Sequence, residues 1–255
     1  MFLIKITLLL IFLISPLKAD AIYNLIKIPN LKIYEIKTKN KLKYFSATKP
    51  FRLGVKKNIR CFNSNEETLK SKYKIIYKNL NRYSHEFLKK INLKYIVLCE
   101  NLSISEINTA GIPNSEMKTL ILDIKFNEKY FERVIHHEVF HIINDTYKSI
   151  FNVSKWNKYN KKNFKYADCS TCTELINLSL YKKTSGFFTE YSKSTPSEDM
   201  AEVFSHLMTL DSEKIKKIGS DDPSLNKKIS YIKKNILIID QNFKFSKTIK
   251  DDKKN

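Results

Sequence analysis

The most informative part of the chain reads Val134-Ile135-His136-His137-Glu138-Val139-Phe140-His141-Ile142-Ile143. It contains His-Glu-x-x-His between apolar neighbours. Residues four positions apart share one face of an α-helix, so His137 and His141 would hold two imidazoles side by side, as a metal-binding pair does. Glu138 would lie close enough to act on a water molecule at the metal without being a ligand itself. The pattern therefore predicts a zinc site with a neighbouring general base.

The surroundings of this motif strengthen the prediction, because His-Glu-x-x-His alone also occurs by chance. Three of the five histidines among the 255 residues fall within six positions. Helical spacing predicts one broad buried face, formed by Phe131, Ile135, Val139 and Ile142. His136 would lie on the side of Lys129 and Arg133, where we expect a surface or supporting residue rather than a ligand.

The elements ahead of the motif are predicted from spacing and turn signals. They are a hairpin of residues 31–36 and 42–45, one helix over residues 65–91, a buried strand at 95–99, a turn at 108–114 and a second strand at 119–124. Ser64 and Glu67 form a capping box for the long helix. Asn127 would cap the histidine helix, and the strand just before that helix would offer its free edge to an extended peptide.

The chain after the motif supplies acidic candidates for a third ligand. Residues 145–185 are predicted to form loops and short helical pieces, and a further helix is predicted to begin at Pro196. Thr195 and Glu198 form a complete capping box, which explains Glu198 without any metal. A zinc ion held by two histidines, however, needs one more protein ligand while one position stays open for water. For that role we prefer Glu198 over Asp199 and Glu202.

These motifs resemble those of the gluzincin metallopeptidases of the anthrax lethal factor type and of related bacterial zinc peptidases. The similarity rests on His137-Glu138-x-x-His141, on Tyr191, and on Glu198-Asp199-Met200-Ala201-Glu202-Val203-Phe204, which begins seven residues after the tyrosine. It covers roughly residues 119–207. It does not extend to the spacer between the motifs or to residues 22–118.

The resemblance implies an α+β, zincin-like fold with a small mixed sheet, an active-site helix that carries the motif and a mainly helical C-terminal part. It implies one catalytic Zn²⁺ held by His137, His141 and Glu198. Glu138 would be the general base of peptide-bond hydrolysis. Tyr191 would donate to the developing oxyanion, and Glu202 would orient a ligand histidine without touching the metal. We therefore expect a zinc metalloendopeptidase whose substrates are proteins or peptides.

The two ends of the chain predict an exported protein with a single folded domain. Residues 1–21 combine a basic residue, an apolar run and small residues before a cleavage point, as in a secretory signal peptide. An uncleaved anchor is the alternative. We expect one catalytic domain over residues 22–246, with strands and a long helix in 22–118 and the metal site in 119–246. Residues 247–255 are predicted to be a disordered basic tail. The protein would work in the periplasm or outside the cell.

The formal net charge of +20 at pH 7 favours acidic partners such as anionic lipid or nucleic acid. The lysines are spread over the whole chain, however, and no basic stripe alternates with aromatic residues. We therefore expect at most weak binding to anionic surfaces, no nucleic-acid binding, and a monomer.

Four cysteines, Cys61, Cys99, Cys169 and Cys172, remain after export. In an oxidising compartment they are expected to form disulfides, and a bond between Cys169 and Cys172 would leave Cys61 for Cys99. The sequence leaves the connectivity open. A redox pair or half of a structural zinc site is also compatible with Cys169-x-x-Cys172, but we favour a structural disulfide in a long loop.

Two other functions stay open at this point. One is a basic binding module for anionic surfaces with an unused metal site. The other is a structural zinc protein whose coordination is closed by a fourth ligand, for which His206 would be the candidate. His206 lies about 12 Å along the helix from Glu198, which argues against joint ligation. The remaining histidine, His85, is predicted to be partly exposed and without a role.

Overall fold

A computed structural model describes residues 28–171 and 173–245 of the chain. The predicted signal peptide, residues 1–21, and the predicted tail, residues 247–255, lie outside the described residues. The strands are β1 (Leu31–Glu35), β2 (Lys43–Ala47), β3 (Phe51–Leu53), β4 (Ile59–Phe62), β5 (Tyr95–Ile104), β6 (Ile107–Asn108), β7 (Gly111–Asn114) and β8 (Thr119–Asp123). The α-helices are α1 (Glu66–Leu80), α2 (His85–Lys90), α3 (Glu128–Thr146), α4 (Val153–Asn157), α5 (Pro196–Thr209), α6 (Ser212–Asp221) and α7 (Pro223–Ile239). In this part of the chain no helix is both long and apolar enough to cross a membrane.

The strands form one mixed sheet that is organised around the long strand β5. The first half of β5 runs parallel to β2 on one side and to β8 on the other, and β1 and β7 complete the two edges in antiparallel orientation. The second half of β5 pairs antiparallel with β4 and β6, while β3 pairs with β4. The predicted α+β class with a small mixed sheet is confirmed. So is the predicted hairpin, which corresponds to β1 and β2.

Both faces of the central strands are buried, which explains their nearly continuous apolar sequence. Side chains alternate along β5, so Ile96 and Leu98 join the main hydrophobic core whereas Val97 and Cys99 join a smaller cluster on the opposite face. The main core includes residues of the sheet and of the helices. Among the helices, α3 packs mainly against α5, and this contact places the histidine helix next to the acidic helix.

A disulfide between Cys61 of β4 and Cys99 of β5 lies within the smaller cluster. This is the pairing that follows if the other two cysteines bond to each other. Cys169 is disulfide-bonded as well. Because Cys172 lies outside the described residues, its bond to Cys169 stays a prediction.

The prediction of one continuous helix over residues 65–91 is wrong, because this stretch forms two helices, α1 and α2. Local capping explains the break between them. The Ser84 side chain accepts a hydrogen bond from Phe87 N and so starts a second helix. The predicted N-cap of the first helix is also displaced by one residue, since Asn65 rather than Ser64 caps α1.

The predicted turn over residues 108–114 is wrong as well, because this stretch contains β6 and β7. Gly111 and Pro113 suggested a turn. An edge strand nevertheless tolerates proline, because the missing N–H then faces away from the neighbouring strand. The free edge of this half of the sheet therefore belongs to β7 and not to β8, which is paired on both sides.

A buried ion pair joins α7 to the start of α5. Lys228 Nζ lies 2.6 Å from Asp199 Oδ2, and both side chains are 0% exposed. The same oxygen accepts hydrogen bonds from Trp156 Nε1 and from the Tyr166 hydroxyl. Burial opposes both charges, since it raises the pKa of Asp199 and lowers the pKa of Lys228. Each charge in this core therefore depends on its partner.

Replacing Asp199 with alanine is expected to lower the free energy of unfolding by about 3–5 kcal/mol, because the Lys228 ammonium would stay buried without the carboxylate that contacts it. Urea unfolding followed by circular dichroism measures this change. The control is Glu213→Ala, which removes an exposed ion pair with Lys216 and should change stability by less than about 1 kcal/mol. Equal effects of the two substitutions would contradict the prediction.

Candidate metal centre

The packing of α3 against α5 brings His137, His141 and Glu198 to one point. His137 Nε2 and His141 Nε2 lie 3.1 Å apart, and Glu198 Oε2 lies 2.8 Å from the first and 3.2 Å from the second. One ligand atom from each residue lies within 4.8 Å of the others. Two imidazole nitrogens and one carboxylate oxygen are a donor set typical of catalytic zinc. The three residues predicted as zinc ligands are thus neighbours in the fold, and we call them the donor cluster.

The outer nitrogen of each histidine is held by a neighbouring side chain. His137 Nδ1 lies 2.9 Å from Glu202 Oε1 and donates to this carboxylate. His141 Nδ1 lies 3.3 Å from Ser197 Oγ. A proton on Nδ1 leaves Nε2 with its lone pair, which is the form of the ring that binds a metal. Ser197 was not among the predicted site residues.

Glu198 belongs both to the start of α5 and to the donor cluster. Thr195 accepts a hydrogen bond from Glu198 N at 3.2 Å, which confirms the predicted N-cap. The Glu198 carboxylate contacts the two histidines. Capping therefore uses the backbone N–H of Glu198, and the carboxylate of Glu198 is free to act as a donor in the cluster.

The charges at the donor cluster favour a bound cation. Burial opposes a charge on His137, yet hydrogen bonds to Glu198 and Glu202 outweigh it and raise the pKa of His137 to about 10. Burial also opposes ionisation of Glu198, but the two histidines hold the pKa of Glu198 well below its usual range. A divalent cation would take the place of the proton that balances these carboxylates. Three protein donors also leave the fourth tetrahedral position for water or substrate, so the residues fit a catalytic zinc ion.

Glu138 lies beside the donor cluster, next to a glycine of the edge strand. Only 7% of Glu138 is exposed, and burial raises the pKa of its carboxyl group although His137 and His141 oppose the shift. A Cβ at Gly111 of β7 would come within 2.6 Å of Glu138 Cγ. Glycine therefore lets the strand approach this side chain more closely than any other residue could. Gly111 was not a predicted site residue.

Tyr191 lies at the start of a short 3₁₀ turn that precedes α5. Its ring centroid is 5.9 Å from that of His137. Burial, together with the Glu198 and Glu138 carboxylates, raises the pKa of Tyr191 and keeps its hydroxyl protonated. Tyr191 is thus a neighbour of the cluster, and its role as an oxyanion donor stays a prediction.

A sequence profile of proteins described as "Putative zinc-binding metallo-peptidase" matches residues 60–250, which is more than half of the chain. The chain belongs to this metallopeptidase family. The matched range includes the donor cluster, Glu138 and Tyr191. The finer prediction, a gluzincin of the anthrax lethal factor type, stays a prediction.

A crystal structure described as "a putative zinc-binding metallo-peptidase" from Bacteroides caccae is similar to the chain. The two proteins share 20% sequence identity, the similarity covers 76% of each chain, and the TM-score is 0.47. At this distance the likeness carries no argument about function. Among curated proteins, none matches the chain.

In this metallopeptidase, Glu202 is held from three directions. It accepts hydrogen bonds from His137 Nδ1, from Thr189 Oγ1 at 2.7 Å and, on both carboxylate oxygens, from Arg133. Burial opposes its ionisation, but Arg133 and His137 lower the pKa of Glu202 to about 2. Glu202 therefore presents a fixed charge to His137, which is the contact its predicted supporting role requires. Arg133 and Thr189 were not predicted as parts of the site.

His136 is not the surface residue that its helical position predicted. It is fully buried, because helix α1 packs against this side of α3. The Tyr83 hydroxyl lies 2.6 Å from His136 Nδ1, and Asn79 Oδ1 lies 3.0 Å from its Nε2. His136 therefore connects α3 to α1 and to the residue Tyr83 that follows it, and it is not a member of the donor cluster.

The remaining candidates lie elsewhere. Asp199, the alternative third ligand, belongs to the buried ion pair. His206 is buried, donates from Nδ1 to Glu202 O at 2.7 Å and stacks on Phe188 with ring centroids 4.3 Å apart. Burial lowers the pKa of His206 to about 3. His206 is thus not the fourth ligand that a closed structural site would need, and His85 is partly exposed as predicted.

Proposed function

We propose that the protein is an exported zinc-dependent endopeptidase of the gluzincin type. The observation that carries this proposal is the convergence of His137, His141 and Glu198 within 4.8 Å, with Glu138 beside them. Membership of a zinc-binding metallopeptidase family supports the reaction class. A glutamate supplied by a later helix supports the gluzincin type, to which the motifs are similar.

The residues around the donor cluster have separate roles in hydrolysis. When bound, zinc supplies Lewis acidity, which polarises the scissile carbonyl and lowers the pKa of water to about 7. Glu138 accepts the proton of the attacking water and passes it to the leaving amine, a role that suits its raised pKa. Tyr191 donates a hydrogen bond to the oxyanion that develops on the carbonyl oxygen. Glu202 keeps His137 in the tautomer that presents Nε2.

The free edge of β7 supports an extended peptide as the substrate. Asp123 N donates to Ala110 O, and pairing alternates along an antiparallel ladder, so Gly111 and Pro113 direct their backbone groups away from β8. A peptide that paired with this edge would pass next to Glu138, because Gly111 adjoins that side chain. Edge pairing engages the middle of a peptide rather than its ends, which supports an endopeptidase.

Export is supported mainly by the sequence. Residues 1–21 have the features of a secretory signal peptide. The disulfide between Cys61 and Cys99 suits an oxidising compartment. We place the mature protein in the periplasm or outside the cell, as a monomer.

Removal of the metal tests this function directly. The mature protein is expected to cleave denatured casein and to lose this activity in 1,10-phenanthroline. It should regain the activity when the chelator is removed by dialysis and one equivalent of Zn²⁺ is then added, because only the loaded site activates water. Mass spectrometry of the products shows whether the cuts fall inside the substrate chains. The control is the same chelator series with a serine protease.

Two outcomes would contradict the proposal. Tight binding of one zinc ion without cleavage of any peptide would favour a structural zinc protein. Salt-sensitive binding to anionic vesicles, without stoichiometric zinc, would favour a surface-binding module.

A further inference from the structure

Arg133 joins the metal centre to a neighbouring part of the chain. It lies four residues before His137 on α3, and its side chain is only 11% exposed. Its Nη1 group donates to both carboxylate oxygens of Glu202, and its Nη2 group donates to Leu178 O at 2.6 Å. One guanidinium group thus holds two partners that are distant in sequence.

The segment of residues 177–191 forms a closed loop. Tyr191 N donates to Asn177 O at 3.2 Å, so the two ends of the segment meet. Residues 177–190 contain no helix or strand, and the position of the segment therefore depends on its contacts with the rest of the protein. The segment ends at Tyr191, whose ring lies beside that of His137.

Two further contacts hold the segment against α3 and α5. Thr189 Oγ1 donates to Glu202 Oε2 at 2.7 Å, so it shares the carboxylate that orients His137. The Tyr130 hydroxyl lies 2.8 Å from Ser179 Oγ and contacts no residue of the donor cluster. The Thr189 contact therefore involves a residue that supports the metal centre, whereas the Tyr130 contact involves none.

We propose that Arg133 is a positioning residue that couples metal binding to the order of segment 177–191. The inference rests on the zinc site of the proposed function but not on the peptidase reaction. Glu202 can orient His137 only while its own carboxylate is held, and the group that holds it also fixes Leu178. Lysine would keep the charge but lacks the planar fork that binds a carboxylate and a carbonyl at once.

Coupling of this kind acts in both directions. If the ordered segment favours zinc binding, bound zinc must favour the ordered segment by the same factor. The exposed residues Lys182 and Lys183 lie inside the segment and offer trypsin two cleavage sites. The rate of cleavage there reports how often the segment opens, while zinc affinity is measured separately.

The experiment uses the mature protein with the additional substitution Glu138→Gln, so that its own activity does not cut the chain. Zinc is expected to slow trypsin cleavage after Lys182 and Lys183 by about tenfold. Arg133→Lys is expected to lower zinc affinity by about 10- to 100-fold in chelator competition. It should also weaken the protection of the segment by zinc, with the Thr189 contact to Glu202 still in place.

Tyr130→Phe is the matched control, because it removes the contact with Ser179 and leaves Glu202 untouched. This variant should be cut faster by trypsin, with zinc affinity unchanged as long as the segment stays mostly ordered. Thr189→Val, which removes one contact of Glu202, should lower both zinc affinity and protection.

Two results would overturn the proposal. One is trypsin cleavage that zinc does not slow in the protein with Arg133 intact, a measurement that stands even where Arg133→Lys does not fold. The other is unchanged zinc affinity in folded Arg133→Lys. A protein that shows the coupling but, with Glu138 restored, hydrolyses no peptide would contradict the proposed function alone.

Discussion

Replacing Glu138 with glutamine is expected to lower kcat for peptide cleavage by about 10²- to 10⁴-fold while one zinc ion stays bound. The amide has the size of the carboxylate but cannot accept the proton of the attacking water. Glu138 is not a member of the donor cluster, so the metal should remain. Kinetics with a fluorogenic peptide measure kcat, and metal analysis of the purified protein measures zinc.

Two variants test whether the carboxylate and its position both matter. Glu116→Gln removes an exposed carboxylate between β7 and β8 and should leave kcat unchanged. Gly111→Ala keeps the Glu138 carboxylate but displaces it, because the new Cβ would lie 2.6 Å from Glu138 Cγ. A displacement of this kind should lower kcat by up to about 10²-fold. Full activity of Glu138→Gln would exclude Glu138 as the base.

Replacing Glu198 with alanine is expected to lower zinc affinity by more than the roughly 10- to 100-fold that loss of a supporting residue costs. The reason is that the Glu198 carboxylate contacts both His137 and His141, so its loss removes one of three donors. Metal content after dialysis and chelator competition measure the change. Peptide cleavage should disappear together with the metal.

Thr195→Ala separates the two roles of Glu198. This substitution removes the acceptor of the Glu198 N–H and leaves the Glu198 carboxylate in place. It is expected to cost about 1 kcal/mol of stability, as other N-cap losses do, with zinc binding retained. If Glu198→Ala also retained stoichiometric zinc and only lost stability, Glu198 would be a helix cap and not a ligand.

The histidine pair could be predicted because it lies within one turn of a single helix. The relative direction of side chains four residues apart follows from helical geometry, whatever surrounds the helix. The caps at Asn127 and Thr195 were predictable for a related reason, since each accepts a bond from a residue two or three positions ahead. Glu198 was a weaker prediction, because it meets His137 across 61 positions of sequence.

The buried partners on the polar side of α3 could not be predicted in this way. The helical positions of His136 and Arg133 placed both residues on this side. A sequence does not show whether a polar residue on such a side is exposed to solvent or covered by another segment. In the fold, α1 covers His136, and segment 177–191 covers Arg133. Both α1 and segment 177–191 are distant from α3 in sequence, so local spacing could not predict these contacts.

The edge strand β7 shows that glycine and proline can each support two local structures. Glycine and proline favour turns, and this preference suggested a turn at residues 108–114. Both residues also suit this edge strand. Pro113 lacks an N–H on the unpaired side of β7, and Gly111 lets the strand approach Glu138 closely. Pairing with β8 and the position of Glu138 determine which structure forms.

Local sequence patterns therefore predicted the histidine helix, its cap and the pair of imidazoles, because each depends on residues within one or two turns. Short apolar runs predicted the buried strands. The sequence favoured Glu198 as the third donor, and the fold brought it to the two histidines. The strand that forms the free edge and the arginine that holds Glu202 became evident only in the folded chain. They depend on how α3, α5 and β7 pack, and contacts between distant segments leave no periodic signal in one sequence.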